Sequence, residues 1–88
     1  MKCNKAIINT YRCVDGNYWY YPYGWLNGRT YENVDVRFKK EIQTVDGVDI
    51  NIDVIKIKGV EPIECKLIGY KKFPDGFLMI EVEDEFED

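Results

Sequence analysis

The chain has 88 residues, a length that supports a single domain with one modest hydrophobic core. Hydrophobic residues make up 45% of it and aromatic residues 15%, which argues against intrinsic disorder. Serine and histidine are both absent. Catalytic Ser-His-acid triads, Cys-His pairs and imidazole general bases are therefore excluded, and we expect a protein that is not an enzyme.

The net charge of −4 comes from one end of the chain. The last eight residues, EVEDEFED, hold six carboxylates, and without them ten acidic residues face twelve basic ones. We therefore expect a nearly neutral β domain over residues 1–80. Residues 81–88 then form the acidic end of the last strand and a C-terminal tail, either solvated or in contact with a basic partner.

Cysteine content and hydropathy bear on the cellular compartment. No segment approaches the roughly 20 apolar residues of a membrane span, and the N-terminus lacks the apolar region of a signal peptide. The three cysteines, Cys3, Cys13 and Cys65, are odd in number and form no CxxC pair. We expect reduced thiols in a cytoplasmic protein that does not contact membranes and that has no metal site and no cofactor.

Four Asx-Gly pairs punctuate the sequence. They are Asp15-Gly16, Asn27-Gly28, Asp46-Gly47 and Asp75-Gly76. Asx-Gly favours the tight type I′ turn, which needs a positive φ at both central residues. The first, third and fourth pairs each lie between two apolar segments, so they predict three successive β-hairpins.

The first hairpin joins KAIINTYRCV to NYWYY and leads into an aromatic run. Six aromatic side chains fall within residues 18–25, and Pro22, which cannot donate a backbone hydrogen bond, ends the strand. Neighbouring residues of a strand face opposite sides, so Trp19 and Tyr21 share one face. Tyr23 and Trp25 then belong to the following loop.

The aromatic run has three interpretations that the sequence leaves open. The loop can fold back over the domain and cover its core. It can form a protein-binding surface, since Trp and Tyr dominate binding hot spots. It can also stack on nucleic-acid bases or sugars.

The second hairpin is predicted from two alternating segments. Val34, Val36, Phe38 and Ile42 share one phase before the turn, and the residues from Val48 to Val54 alternate after it, as in a half-buried strand. Helical spacing also fits residues 34–45, but the β-branched content and the Asp-Gly that follows favour a strand. Apolar residues change phase at Ile55, and again after Leu67, which predicts two β-bulges.

The third hairpin joins CKLIGYKKF to FLMIEVE, and the second of these segments is apolar on both faces near its start. Phe38, Leu67, Phe77 and Ile80 are candidates for the core. The predicted fold is all-β, with five or six antiparallel strands from three successive hairpins forming a small, strongly curved sheet or barrel.

Two sets of residues are candidates for binding. The predicted partner-binding set combines the aromatic segment with the acidic end: Trp19, Tyr21, Tyr23, Trp25, Glu83, Asp84, Glu85, Phe86 and Glu87. The alternative set is a basic strip for single-stranded nucleic acid, formed by Arg37, Lys39, Lys56 and Lys58.

Our principal hypothesis is a small non-enzymatic module that binds another protein, one with a basic surface. A phage or mobile-element inhibitor of a host nucleic-acid-handling or defence protein fits the size, the acidic end and a composition rich in Ile, Lys, Asn and Tyr. The alternatives are a nucleic-acid-binding β-barrel that uses exposed tyrosines with the basic strip, and an oligomeric structural protein assembled through the aromatic loop.

Overall fold

The computed structural model describes residues 1–84, which form a closed five-stranded β-barrel with one additional strand. The strands are β1 (Lys2–Val14), β2 (Asn17–Tyr20), β3 (Thr30–Val45), β4 (Val48–Ile57), β5 (Ile63–Lys72) and β6 (Phe77–Glu83). The predicted all-β class, hairpins and strong curvature are confirmed. Over residues 1–84 no helix has the length and apolarity needed to cross a membrane.

The barrel closes in the order β1-β3-β4-β5-β6-β1. The pairs from β1–β3 to β5–β6 are antiparallel, as predicted. Five strands in this order bring the first and last into the same direction, so the closing pair β1–β6 is parallel, an exception to the predicted antiparallel pairing. One edge of β1 pairs with β6. The other edge pairs with β3 at the start of β1 and with β2 at the end of β1. Residues 21–29, the connecting loop, contact the same edge between these two strands.

Two of the predicted turns have the expected geometry. Asp15 and Gly16, and likewise Asp46 and Gly47, all have positive φ angles between 51° and 81°. In the third hairpin only Gly76 has a positive φ, because the turn there is wider and the Phe73 amide donates to the Phe77 carbonyl at 2.8 Å.

The core consists of the inward-facing side chains of the barrel and one side chain of the connecting loop. Its fully buried members are Ala6, Ile8, Val36, Ile55, Leu78, Ile80 and Val82. Ile80 is therefore confirmed as a core residue, whereas Phe38 and Leu67 are only partly buried at the margin. Phe77 is half-buried and packs against Phe73 instead.

The second hairpin corrects two predictions. The β3–β4 register runs without a shift from Val36 opposite Ile57 to Val45 opposite Val48, so the bulge predicted at Ile55 is wrong. The strand predicted from Val48 is confirmed, but its predicted half-burial is wrong over residues 48–51, because residues 39–51 are exposed throughout. The hairpin continues beyond the barrel as a two-stranded extension from Glu41, opposite Ile52, to the turn, and we call residues 41–52 the β-arm.

The apolar phase change at Ile55 marks the place where β4 enters the barrel. Val54 and Ile55 face opposite sides of the strand and are both buried there. The inward row of β3 ends in the same way, since Ile42, which was predicted to share the phase of Val36 and Phe38, is 69% exposed. The second predicted bulge is confirmed, because the β5–β6 register shifts between Leu67 and Gly69.

Candidate functional site

The connecting loop is tied to β1 at Thr10, whose side chain is buried. The Thr10 amide donates to Asn27 Oδ1 at 2.9 Å, and its hydroxyl donates to the Tyr21 carbonyl at 2.5 Å. The Tyr21 amide donates back to the Thr10 carbonyl at 2.9 Å. Further along, the Gly28 amide donates to the Ile8 carbonyl at 2.8 Å. Bonds at both ends of the loop therefore restrict its conformation.

Leu26 anchors the loop in the core. It is the one Leu, Ile or Val between Val14 and Val34, and it is only 5% exposed among the barrel residues. Two residues earlier, Gly24 lies so close to β1 that an added Cβ would stand 2.8 Å from Thr10 Cβ. Glycine is required there because the backbone packs directly on a side chain.

The aromatic side chains of this region lie outside the barrel. Trp19 is 62% exposed, Tyr23 83% and Trp25 67%, while Tyr21 is half-buried. These side chains do not cover the core, since Leu26 performs that role. The loop therefore folds back and covers part of the core through Leu26, as the first of the three interpretations has it, while Trp19, Tyr23 and Trp25 stay exposed.

Arg12 connects the aromatic residues to the acidic end of the chain. It lies opposite Trp19 in the β1–β2 register, and its guanidinium carbon is 3.9 Å from the centroid of the Tyr21 ring. Arg12 Nε is also 3.5 Å from Asp84 Oδ2. Tyr21 in turn meets Tyr23 edge to face, with ring centroids 5.6 Å apart.

Trp25 lies beside a cleft of about 260 Å³ at the same end of the barrel. The Arg29 guanidinium carbon is 4.7 Å from the centroid of a Trp25 ring. Glu83 and Asp84 line the same cleft. The structure thus brings together Trp25 and the two described members of the acidic part of the predicted set.

Both of these carboxylates already have cationic neighbours within the chain. Glu83 Oε2 is 3.0 Å from Lys66 Nζ, and the Asp84 side chain, beside Arg12, is only 4% exposed. They are therefore poorly placed to attract a basic partner. The other predicted acidic-end residues, Glu85, Phe86 and Glu87, lie outside the described residues.

The opposite face of the β1–β2 hairpin carries other tyrosines. Tyr11 and Tyr20 lie opposite each other and meet edge to face with centroids 5.8 Å apart, and Tyr18 lies opposite Cys13. Partial burial and a hydrogen bond with Glu81 raise the pKa of Tyr11 above its usual 10.0. The Tyr11 phenol is therefore protonated near neutral pH.

The four residues of the basic strip lie elsewhere: Arg37 and Lys39 are on β3, Lys56 is on β4, and Lys58 follows the end of β4. Arg37 and Lys56 are directly opposite each other, and Lys56 Nζ is 3.9 Å from Glu41 Oε2. Lys39 and Lys58 flank them and are exposed. Arg37, Lys56 and Lys58 line one shared cleft, in which no aromatic residue takes part among residues 1–84.

Sequence reasoning missed the residues that position the aromatic side chains. Thr10 is a polar residue in the inward phase of Ala6 and Ile8, which is a signal for a buried hydrogen bond. Leu26, as a lone aliphatic residue in an aromatic and polar stretch, is a signal for an anchor. Arg12 and Arg29 carried no such signal, because their ring contacts depend on the path of the loop.

Comparison with known proteins gives no assignment. No protein-family model, curated protein or solved structure matches this chain. In the described part of the chain, no group of three or more Cys, Asp or Glu side chains is arranged to hold a metal ion.

Proposed function

We propose that this chain is a protein-binding module and that its docking surface consists of Trp19, Tyr21, Tyr23 and Trp25, here called the aromatic surface. The observation that carries the proposal is the exposure of Trp19 on β2, and of Tyr23 and Trp25 on a loop that the barrel holds in place. Burial of large aromatic side chains is a main source of affinity in protein interfaces.

Restriction of the loop supports the proposal energetically. A flexible loop loses conformational entropy when it binds, at about 0.5–1.5 kcal/mol for each immobilised side chain with many rotamers. Here the Thr10 bonds and the Leu26 anchor fix the backbone before any partner arrives. Ring contacts to Arg12 and Arg29 restrict Tyr21 and Trp25 in the same way.

The acidic end has a different part in this proposal. Asp84 and Glu83 are paired with Arg12 and Lys66, so they hold the base of the aromatic surface in place and leave partner contact to the rings. Contact between residues 85–87 and a basic partner stays a prediction, as does action on a host nucleic-acid-handling or defence protein of a phage or mobile element. The identity of the bound protein tests the latter.

The experiment is affinity capture from a lysate of the source organism. We compare the native chain with a triple variant, Trp19→Ala, Tyr23→Ala and Trp25→Ala. Tyr18→Ala is the matched control, because Tyr18 is an exposed aromatic residue on the opposite face of the same hairpin. Circular dichroism checks that all three proteins are folded.

We expect one discrete protein to be retained by the native chain and by Tyr18→Ala and to be lost with the triple variant. Equal retention by the triple variant would refute the proposal. Retention of single-stranded DNA or RNA would instead favour the nucleic-acid alternative. In that case the affinity should fall steeply as the salt concentration rises, and it should also fall in the Arg37→Ala variant.

A further inference from the structure

One edge of β4 pairs with no other strand over residues 48–52, as far as residues 1–84 show. β4 pairs with β3 along its whole length, but with β5 only from Asp53 to Ile55. After Cys65, β5 leaves this edge and pairs with β6. An exposed strand edge presents amide and carbonyl groups that can bind a strand of another chain.

This edge has few of the features that usually prevent such pairing. Protected edges carry charged residues, lysine above all, or proline or a β-bulge. The sequence VDINI at residues 48–52 contains one charged residue, Asp49, and no lysine or proline, and the β3–β4 register is unbroken there. The edge is also long enough for a strand of five residues.

An apolar row runs along one face of the β-arm, beside the unpaired edge. Val48 lies opposite Val45, Ile50 opposite Gln43, and Ile52 opposite Glu41. Val45, Val48, Ile50 and Ile52 therefore lie on one face and form the row. Val48 is 61% exposed and Ile50 44%. A strand that adds to the edge would extend this row.

The turn determines which groups of β4 point toward the unpaired edge. In a two-residue hairpin such as Asp46-Gly47, the flanking pair Val45–Val48 exchanges backbone hydrogen bonds. Val48, Ile50 and Ile52 then direct their amides and carbonyls toward β3. The amides and carbonyls of Asp49 and Asn51 point the other way, toward the unpaired edge.

If the unpaired β4 edges of two copies of this chain bind each other, the charges along the edge select one symmetric arrangement. With Ile50 on a two-fold axis, Asp49 lies opposite Asn51 of the second copy, and no like charges meet. With Asp49 on the axis, the two Asp49 side chains face each other. With Asn51 on the axis, Asp49 faces Asp53 of the second copy. Like charges directly opposite each other destabilise a sheet, so the Ile50 register is favoured.

We propose that two copies of this chain associate edge to edge through β4, antiparallel, with Ile50 at the two-fold axis. Each Asp49–Asn51 pair exchanges its backbone hydrogen bonds, while the two Ile50 side chains form a closely spaced pair. Val48 lies beside Ile52 of the second copy, so the apolar rows become continuous. The contact is small, and we expect a dissociation constant on the order of 100 µM.

The test is sedimentation equilibrium of the full chain from about 10 µM to about 1 mM, a range that brackets this constant. We expect a monomer that converts to a dimer as the concentration rises. Ile50→Lys, which opposes two charges at the axis, and Asn51→Pro, which removes an amide that points to the unpaired edge, should each weaken dimerisation at least about tenfold. Ile42→Lys is the matched control, since Ile42 is exposed on the opposite face of the β-arm and should leave dimerisation unchanged.

A cross-link checks the register. In a Cys13→Ala background, Ile50→Cys should form a disulfide between copies under mild oxidation, because closely spaced pairs across strands suit the bond. Val60→Cys, on an exposed loop position away from the β-arm, should not. A monomer at every concentration would overturn the proposal and leave the edge to a strand of another protein. A dimer that Asn51→Pro and Ile50→Lys leave intact would overturn it as well.

Discussion

Replacement of Leu26 by alanine tests whether this residue, and not a tryptophan, covers the end of the barrel. The substitution removes three carbon atoms from a side chain that is 5% exposed and packs in the main core. Buried Leu→Ala changes cost about 2–5 kcal/mol, through lost transfer free energy and the cavity left behind. Leu26 also lines the cleft at the barrel end, where the site can relax, so we expect the free energy of unfolding to fall by about 2–3 kcal/mol.

Trp25→Ala is the matched comparison in the same loop. Trp25 is 67% exposed, and its main defined contact is the Arg29 guanidinium. Exposed cation–π pairs contribute about 0.5–1 kcal/mol. We therefore expect the larger of the two side chains to cost less than about 1 kcal/mol when it is removed.

The assay is urea unfolding followed by far-ultraviolet circular dichroism, because tryptophan fluorescence would change with the Trp25 substitution itself. The free energies of unfolding of the two variants are compared with that of the native chain, and the slopes with urea should be similar. If Trp25→Ala destabilises the chain as much as Leu26→Ala does, the tryptophan covers the core and the aromatic surface is not available to a partner.

Three further substitutions test the supports of the site and the N-terminus. Thr10→Val keeps the shape of the side chain but removes the hydroxyl bond to the Tyr21 carbonyl. Thermal or urea unfolding should show that the free energy of unfolding falls by about 1–3 kcal/mol. An unchanged free energy of unfolding would contradict the described bond. Gly24→Ala forces the loop away from Thr10 and should cost about 1–3 kcal/mol by the same measurement, whereas Gly16→Ala, with no atom near the added Cβ, should show only its backbone strain. A hydrogen bond from the N-terminal ammonium lowers the pKa of Asp35 below its usual 3.8. A lowered pKa contributes stability above pH 3.8, and this stability is lost as the pH falls through the pKa of the folded state. The difference in unfolding midpoint between the native chain and Asp35→Asn should therefore shrink from pH 6 to pH 2. A difference that does not vary with pH would contradict this account.

The sequence predicted the fold through its turns. Asp15-Gly16 and Asp46-Gly47 supply residues that accept positive φ, and each joins two strands of the expected extent. The β-bulge after Leu67 was also predictable, because the apolar residues change phase by one position there, and the structure has a register shift at the same place. Local chemistry determines both features, so they can be identified without knowledge of the tertiary contacts.

The β-arm could not be predicted in the same way. Alternation from Val48 to Val54 shows that the strand has an apolar face, but it does not show what that face meets. The phase change at Ile55 looked like a bulge, whereas it marks the border between an exposed ribbon and a strand buried on both faces. That distinction depends on where the other strands end.

The aromatic segment was predictable only in part. Pro22 correctly ended β2, and alternation placed Trp19 and Tyr21 on one face, where the structure adds Arg12 opposite Trp19 and against the Tyr21 ring. The path of the loop along β1 depends on Thr10 and on the insertion of Leu26, two contacts made with residues distant in the sequence. Exposure of Tyr23 and Trp25 follows from that path and not from their own sequence context.

The affinity of the captured partner for the Trp25→Ala variant tests the central claim most directly. Removal of an exposed aromatic residue at the centre of an interface typically costs about 2 kcal/mol or more, which corresponds to a roughly 30-fold rise in dissociation constant. We predict a loss of this size by titration calorimetry, with the free energy of unfolding reduced by less than about 1 kcal/mol. An unchanged affinity in a folded Trp25→Ala variant would contradict the assignment of the aromatic surface.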